Sequence, residues 1–170
     1  MQYLIYKYDK NRIAESQVLD LKTITWKPSF RNIYHNRLPK KYILWWFFHY
    51  LGVFKNNQFE IRFFYNQGEL AHFFCIVPKY YRWSFMKKKD VQLTYVVTEK
   101  NYQGKGIAFK CISNLLIELK VLGDIWYITD SENIASQKLA EKLGFKLQGT
   151  GIRKSYMFGL IKVLSLKKLS

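Results

Sequence analysis

The segment that decides the fold is "VQLTYVVTEKNYQGKGIAFKCISNLLIEL", Val91 to Leu119. Val91 to Thr98 is rich in β-branched residues and reads as a strand. Lys105 to Leu119 carries a helical pattern. Between them lies Gln103-Gly104-Lys105-Gly106-Ile107-Ala108, with two glycines one residue apart and no acidic side chain. A strand, a glycine turn and a helix start together make an anion site. The first amides of a helix have no acceptor inside it and sit at the positive end of its macrodipole. Glycines let a phosphate approach those amides closely, and Lys105 adds a positive charge.

Working outward, "QYLIYKY" reads as a first strand. Residues 10–37 are polar and aromatic with weak helix signals. "PKKYILWWFFHYLG" reads as a helix closed by Gly52. "QFEIRFFY" and "GELAHFFCIV" read as a β-hairpin around "NQG", where Asn66 and Gly68 tolerate positive φ. After the central segment, "GDIWYITD" reads as a strand ending at Asp130. Asn133 to Leu143 reads as a helix closed by Gly144. "FKLQGTGIRKSYMFGLIKVLSL" reads as a final strand pair turning near Gly149–Gly151. Strand–helix–strand over residues 91–129 demands a right-handed parallel crossover, and the hairpins are antiparallel. The expected fold is a mixed sheet in an α/β (α+β) class. Residues 1–170 read as one domain, with no repeat, linker or low-complexity tract.

Hydrophobic residues make up 49% and aromatics 18% of the 170 residues, which excludes a disordered chain. Cys75 and Cys111 sit inside apolar patterns and read as small buried hydrophobes without a disulfide. The N-terminus lacks the layout of a secretion signal, and a cytoplasmic location is expected. The apolar block Tyr42 to Phe54 is too short to span a bilayer, which needs ~20 residues. Lys plus Arg is 28 against 12 Asp plus Glu, a net charge of +16. That attracts anions. The basic residues are scattered rather than gathered in one block, which speaks against a nucleic-acid arm.

The turn fits one phosphate motif of three. A P-loop needs four residues between its glycines. The dinucleotide motif G-x-G-x-x-G would need glycine at position 109, which is Phe109. Gln103-x-x-Gly106-x-Ala108 matches the acyl-CoA pyrophosphate signature Q/R-x-x-G-x-G/A. Downstream, "ENIASQKLAEKLGF" places Asn133, Ser136 and Gly144-Phe145 in a matching order. On these residues the chain resembles the GCN5-related N-acetyltransferase (GNAT) superfamily over roughly residues 55–160.

The resemblance implies a GNAT-like fold with two splayed parallel strands, Val91–Thr98 and Ile125–Thr129, and acetyl-CoA as co-substrate. The backbone of Tyr95, Val96, Val97 and Thr98 would pair with the pantetheine amides. The amides of Gln103, Gly104, Lys105, Gly106, Ile107 and Ala108 would hold the pyrophosphate. Asn133 and Ser136 would contact the pantetheine arm, and Lys138 or Lys142 the 3′-phosphate. Backbone donors near Val96 would polarise the thioester carbonyl. Many members carry a tyrosine where this chain has Ala140, which removes the usual general acid. No metal is implied.

For a general base the residues offer Glu60, on one face of its strand with Arg62, and His72, expected opposite Arg62 and poised near neutral pH. Each also has a structural reading, Glu60 as an ion-pair partner and His72 as a satisfied core histidine. Tyr127, Tyr156 and Ser131 are further candidates, and Asp90 opens the strand that leads to the turn.

The acceptor pocket is expected from residues 10–90, where "YILWWFFHY" and "PKYYRWSFMKKKD" combine aromatic faces with Lys and Arg. That suits a small anionic amine with a ring, such as an amino-sugar nucleotide. The run "WSFMKKKDVQLTYVVTEKNYQGKGI" is also similar to GNAT-like proteins of bacterial capsule and lipopolysaccharide synthesis. A protein or peptide N-acetyltransferase, and a non-catalytic basic binding protein on the same fold, are the alternatives. A homodimer is compatible with the sequence.

Overall fold

The computed structural model describes residues 2–12, 16–18, 20–33, 35–36, 40, 43–119, 123–156 and 161–168. The chain runs β1 (Tyr3–Tyr8), β2 (Lys22–Trp26), α1 (Ile43–Tyr50), β3 (Glu60–Asn66), β4 (Glu69–Pro78), β5 (Val91–Thr98), a 3₁₀ turn (Lys100–Tyr102), α2 (Ile107–Leu119), β6 (Ile125–Asp130), α3 (Ile134–Leu143), β7 (Phe145–Tyr156) and β8 (Ile161–Lys168). These strands form one sheet in the order β2-β3-β4-β5-β6-β1-β7-β8. Only the β5–β6 neighbours run parallel. This is the mixed, mostly antiparallel α/β sheet that the sequence implies, with β5-α2-β6 as its crossover.

Two apolar layers flank the sheet. Helix α2 buries Cys111, Ile112, Leu115, Leu116 and Leu119, a stripe at helical spacing, against Leu93, Ile125 and Tyr127. Helix α3 adds Ala140 and Leu143 to the same layer. Full burial of one such leucine stabilises the fold by roughly 1.5–3 kcal/mol. On the other face α1 and the segment after β4 pack Trp45, Phe48, Tyr80, Trp83 and Met86 over Phe59, Ile61, Phe63 and Trp126. Both cysteines are free and buried. Burial pushes the Cys111 thiol up to about 12 and raises Cys75 as well, so neither is a thiolate at neutral pH.

Several expectations are corrected. Within 10–37, read as weakly helical, Lys22–Trp26 is an edge strand on β3; its Thr-Ile-Thr-Trp run favours extended backbone. The β3–β4 turn has two residues, Gln67 and Gly68, both at positive φ (48° and 87°). That register sets Arg62 opposite Phe74 and His72 opposite Phe64, so the expected Arg62–His72 pair does not form. Helix α2 starts at Ile107 rather than Lys105, because Gly104 and Gly106 stand at φ 75° and 72°. No turn occurs at Gly149–Gly151. β7 runs through both glycines, with a bulge where Ile5 pairs Gly149 and Tyr6 pairs Leu147. A Cβ on Gly149 would collide with the Lys167 carbonyl of β8. The start of the helix expected from Pro39 lies outside the described residues. So do residues 157–160 between β7 and β8.

One buried carboxylate organises the end of the sheet where β5 and β6 begin. Asp90, 2% exposed, accepts the Lys87 amide (2.8 Å) and the Trp126 indole N–H (2.9 Å) on Oδ2, and the Asp124 amide (3.0 Å) on Oδ1. Three donors compensate the burial of its charge.

Candidate active site

β5 and β6 pair only from Val91–Ile125 to Leu93–Tyr127. Beyond Leu93 the two strands fork, and the edge of β5 that faced β6 is left open. A bulge sits at this point. Phe73 pairs Val97 while Cys75 pairs Thr94, so Tyr95 and Val96 stand against Phe74 alone. Tyr95 takes φ 51°, a conformation that costs a bulky side chain on the order of 1–3 kcal/mol. The extra residue inverts the side-chain phase of the strand. Gln92 and Thr94 point to the α1 side, whereas Val96 and Thr98 point to the α2/α3 side.

Each side of the fork holds a cavity. The larger, about 550 Å³, lies on the α2/α3 side. Its walls are Val96 and Thr98 of β5, the turn at Gln103, Gly104, Gly106, Ile107 and Ala108, and Asn133 and Ser136 at the start of α3. The first helical bond of α2 is donated by Lys110 to Gly106. The amides of Ile107, Ala108 and Phe109 therefore have no acceptor within the helix, and no acidic residue stands in that first turn. A Cβ on Gly104 or Gly106 would meet nothing within 4 Å. These glycines are thus required by backbone conformation, and the space beside them is open.

Asn133 combines two features. It lines the cavity, and its side chain caps α3 by accepting the Ser136 amide at 3.0 Å. Gln103 is a strut: its amide group donates to the Thr98 carbonyl (3.1 Å) and its backbone N–H to Lys100 (3.4 Å). Lys142 closes the wall, its ammonium 4.6 Å from the centre of the Phe109 ring.

Four of the residues singled out for acyl-CoA stand back from this cavity. Tyr95 and Val97 are on the strand but face elsewhere, and Lys105 lies over the Tyr102 ring. Lys138 is exposed on α3, and Lys142, one turn later, reaches the wall instead.

The two candidate bases are also placed apart from both cavities. Glu60 is buried on the α2 side, paired with Arg62 (2.7 Å) and Lys27 (3.2 Å), and Arg62 in turn pairs with Glu118 of α2 (2.7 Å). His72 is fully buried, and burial lowers its pKa to about 4. Ala140 is wholly buried in the α2/α3 layer. Tyr127, on the same side, has its pKa raised by burial, with a hydrogen bond to Ser136 opposing. The side chain of Tyr156 lies outside the described residues.

The smaller cavity, about 200 Å³, lies on the α1 side and is bounded by Tyr3, Trp45, Val77, Tyr80, Arg82, Trp83, Gln92, Thr94, Tyr95, Ile128 and Asp130. Both aromatic stretches noted in the sequence contribute to it. Asp130, Gln92, Thr94 and Tyr3 were not foreseen, because they arrive from three different strands and no local motif joins them. Phe109 and Leu139 of the larger cavity were missed for a related reason: each reads as an ordinary core position of a helix.

The sequence profile of the acetyltransferase (GNAT) family matches residues 18–145, and this chain belongs to that family. No curated protein matches it in sequence. Solved structures share the fold. A functionally unknown conserved protein from Staphylococcus epidermidis is 14% identical, with a TM-score of 0.57, over 88% of this chain and 58% of that one. A GCN5-related N-acetyltransferase-like protein from Streptococcus suis is 15% identical, with a TM-score of 0.54, over 88% and 59%. The ribosomal-protein-S18-alanine N-acetyltransferase from Escherichia coli is 15% identical, with a TM-score of 0.51, over 84% and 90%. The chain spans about three fifths of the length of the first two.

Proposed function

We propose that the chain transfers an acetyl group from acetyl-CoA to a primary amine. The observation that carries this reading is the continuity of the larger cavity, from the left-handed Gly104–Gly106 turn to the open edge of β5 at the fork. The unpaired amides at the start of α2 hold the pyrophosphate. The β5 edge from Thr94 to Thr98 pairs with the pantetheine amides, and Asn133 and Ser136 border the arm. Backbone amides at the bulge near Val96 polarise the thioester carbonyl. With Ala140 in place of a tyrosine, the thiolate leaves either unaided, since thiols have a pKa near ~8.5, or with Tyr127 donating through Ser136.

The acceptor is a small anionic amine, in the first instance an amino-sugar nucleotide of surface polysaccharide synthesis, and a cytoplasmic reaction belongs to the same reading. The net charge of +16 favours such an acceptor over a polyamine. A cavity of about 200 Å³ suits a small molecule better than the long groove a peptide needs.

Calorimetric titration with acetyl-CoA tests the reading, with Gly106→Glu as control. That change sets a carboxylate into open space at the pyrophosphate position, at a backbone cost of about 1–2 kcal/mol. One-site binding that is lost in the variant while its circular dichroism is kept supports the proposal. Equal binding in both proteins removes it.

A further inference from the structure

Consecutive residues of β5 line the two cavities on opposite faces of the sheet. Val96 belongs to the larger, Thr94 and Tyr95 to the smaller, and the bulge between them turns the strand from one face of the sheet to the other. A thioester lying along the open edge of β5 in the larger cavity would present its carbonyl carbon to a nucleophile held in the smaller one. This argument rests on the acyl-CoA reading above and takes it one step further, to the chemistry of the acceptor.

Among the described residues the walls of the smaller cavity carry one carboxylate, Asp130, and one guanidinium, Arg82. Both are fixed by backbone. Asp130 ends β6 opposite Tyr3 of β1, and its carbonyl accepts the Asn133 amide (3.1 Å). Its Oδ1 takes the Glu132 amide (3.1 Å), and among the described residues no group bonds Oδ2. The Arg82 carbonyl accepts the Leu164 amide of β8 (2.8 Å), and its guanidinium lies 5.1 Å from the centre of the Trp83 ring. The same walls include Trp45, Tyr80, Trp83 and Tyr95, together with Gln92 and Thr94. Apolar faces with a few placed polar groups bind a small, compact skeleton. At about 30 Å³ per water-sized unit, 200 Å³ holds roughly seven such units. That is one ring or a short chain, so of an amino-sugar nucleotide only the sugar would enter, with the nucleotide outside.

We infer that this cavity is the acceptor site, that Asp130 receives the acceptor's ammonium group, and that Arg82 receives an anionic group at the acceptor's other end. The ammonium gives one proton to the Asp130 carboxylate, which releases it to solvent. The freed nitrogen pair forms a bond to the thioester carbonyl carbon. The carbon–sulfur bond breaks with its electrons on sulfur, and the second proton lost from nitrogen ends on the CoA thiolate. The products are the acetamide and CoA thiol. A phosphorylated amino sugar and an α-amino acid share this ammonium-plus-anion chemistry.

The test assays acetyl transfer to glucosamine 6-phosphate, glucosamine, L-alanine and spermidine, with acetyl-CoA binding followed by calorimetry in every protein used. Transfer to one or both anionic amines is expected, and the preferred one identifies the source of the anion. Asp130→Asn should lower turnover about a hundredfold with acetyl-CoA affinity unchanged, and that retained affinity shows the variant is folded. Arg82→Gln should raise KM for the anionic acceptor at least about tenfold more than for glucosamine. The inference is overturned if acetyl-CoA binds but neither anionic amine is acetylated. It is equally overturned if Asp130→Asn keeps its turnover, or if Arg82→Gln affects charged and uncharged acceptors alike. Failure of acetyl-CoA to bind would instead remove the acyl-CoA reading itself.

Discussion

Nδ1 of His72 lies 2.9 Å from the Thr98 hydroxyl, in a ring with no exposed surface, directly behind the strand edge that walls the larger cavity. Its Nε2 has no hydrogen-bond partner among the described residues. The imidazole is therefore neutral at pH 7, and its pKa of about 4 reflects burial first, with a hydrogen bond from the ring to the Val97 backbone opposing.

That burial predicts a pH dependence of stability. The unfolded chain has an ordinary histidine pKa of about 6.5, so between pH 6.5 and 4 the unfolded state binds the extra proton. Stability from this group is complete above pH 6.5 and is lost as pH falls toward 4. The distance from 6.5 to about 4, at about 1.4 kcal/mol per pH unit, makes the full loss about 3 kcal/mol. Urea melts of the parent and His72→Gln at pH 7, 5.5 and 4.5 should converge as pH falls. Parallel curves would mean that His72 is protonated in the fold.

Glu60 gives the second prediction. Its carboxylate is buried and bridges Arg62 and Lys27 on the α2 side of the sheet, while the smaller cavity opens on the α1 side. Replacing it with Gln leaves Arg62 half-compensated, which costs about 1–3 kcal/mol. Acetyl-transfer turnover should be unchanged at a temperature where the variant is folded. A large fall in kcat with normal stability would return Glu60 to the list of bases.

What the sequence made legible is the local chemistry. Gly104 and Gly106 beside a β-branched strand told both the backbone conformation and the anion site, because left-handed turns demand glycine and helix starts expose amides. Asn133 and Gly144 announced both ends of α3. The bulge at Tyr95 was illegible, since nothing in "LTYVVT" marks which residue will be extra; the phase inversion depends on the register with β4. Without it, Thr94 and Val96 would share a face and the fork would open on one side only. Glu60 and His72 meet neither cavity for a different reason. Alternation places Glu60, Arg62 and Phe64 on one face, and His72 pairs with Phe64 of that face, but what covers the face is decided by the long-range packing of α2, whose Glu118 pairs with Arg62. The place of β1 between β6 and β7 is a long-range choice that no local pattern records.

Asp90 supports a third prediction, on stability. Its three donors come from the loop before β5, from the start of β6 and from the Trp126 ring, and Gly123 packs against it so closely that a Cβ there would stand 2.7 Å from Oδ1. In Asp90→Asn an amide N–H must face one of these donors. The expected loss is about 2–4 kcal/mol in urea unfolding. A loss below about 1 kcal/mol would show that the site relaxes around the amide.

Lys142 and Lys138 separate a site residue from a solvated one on the same helix. Lys142 stands in the wall of the larger cavity over Phe109, and Lys138 projects into solvent one turn earlier. If the cavity takes the phosphates of acetyl-CoA, Lys142→Glu replaces a charge-assisted contact with repulsion. A contact of this kind is worth about 1.5–3 kcal/mol, so affinity should fall at least about tenfold. Lys138→Glu alters only the screened field, and its small effect should vanish at high salt. Calorimetric titration of both variants with acetyl-CoA at low and high ionic strength distinguishes them. An equal loss in the two variants would mean that general surface charge, and not the cavity wall, attracts the nucleotide. A loss confined to Lys138→Glu would place the 3′-phosphate on the outer face of α3.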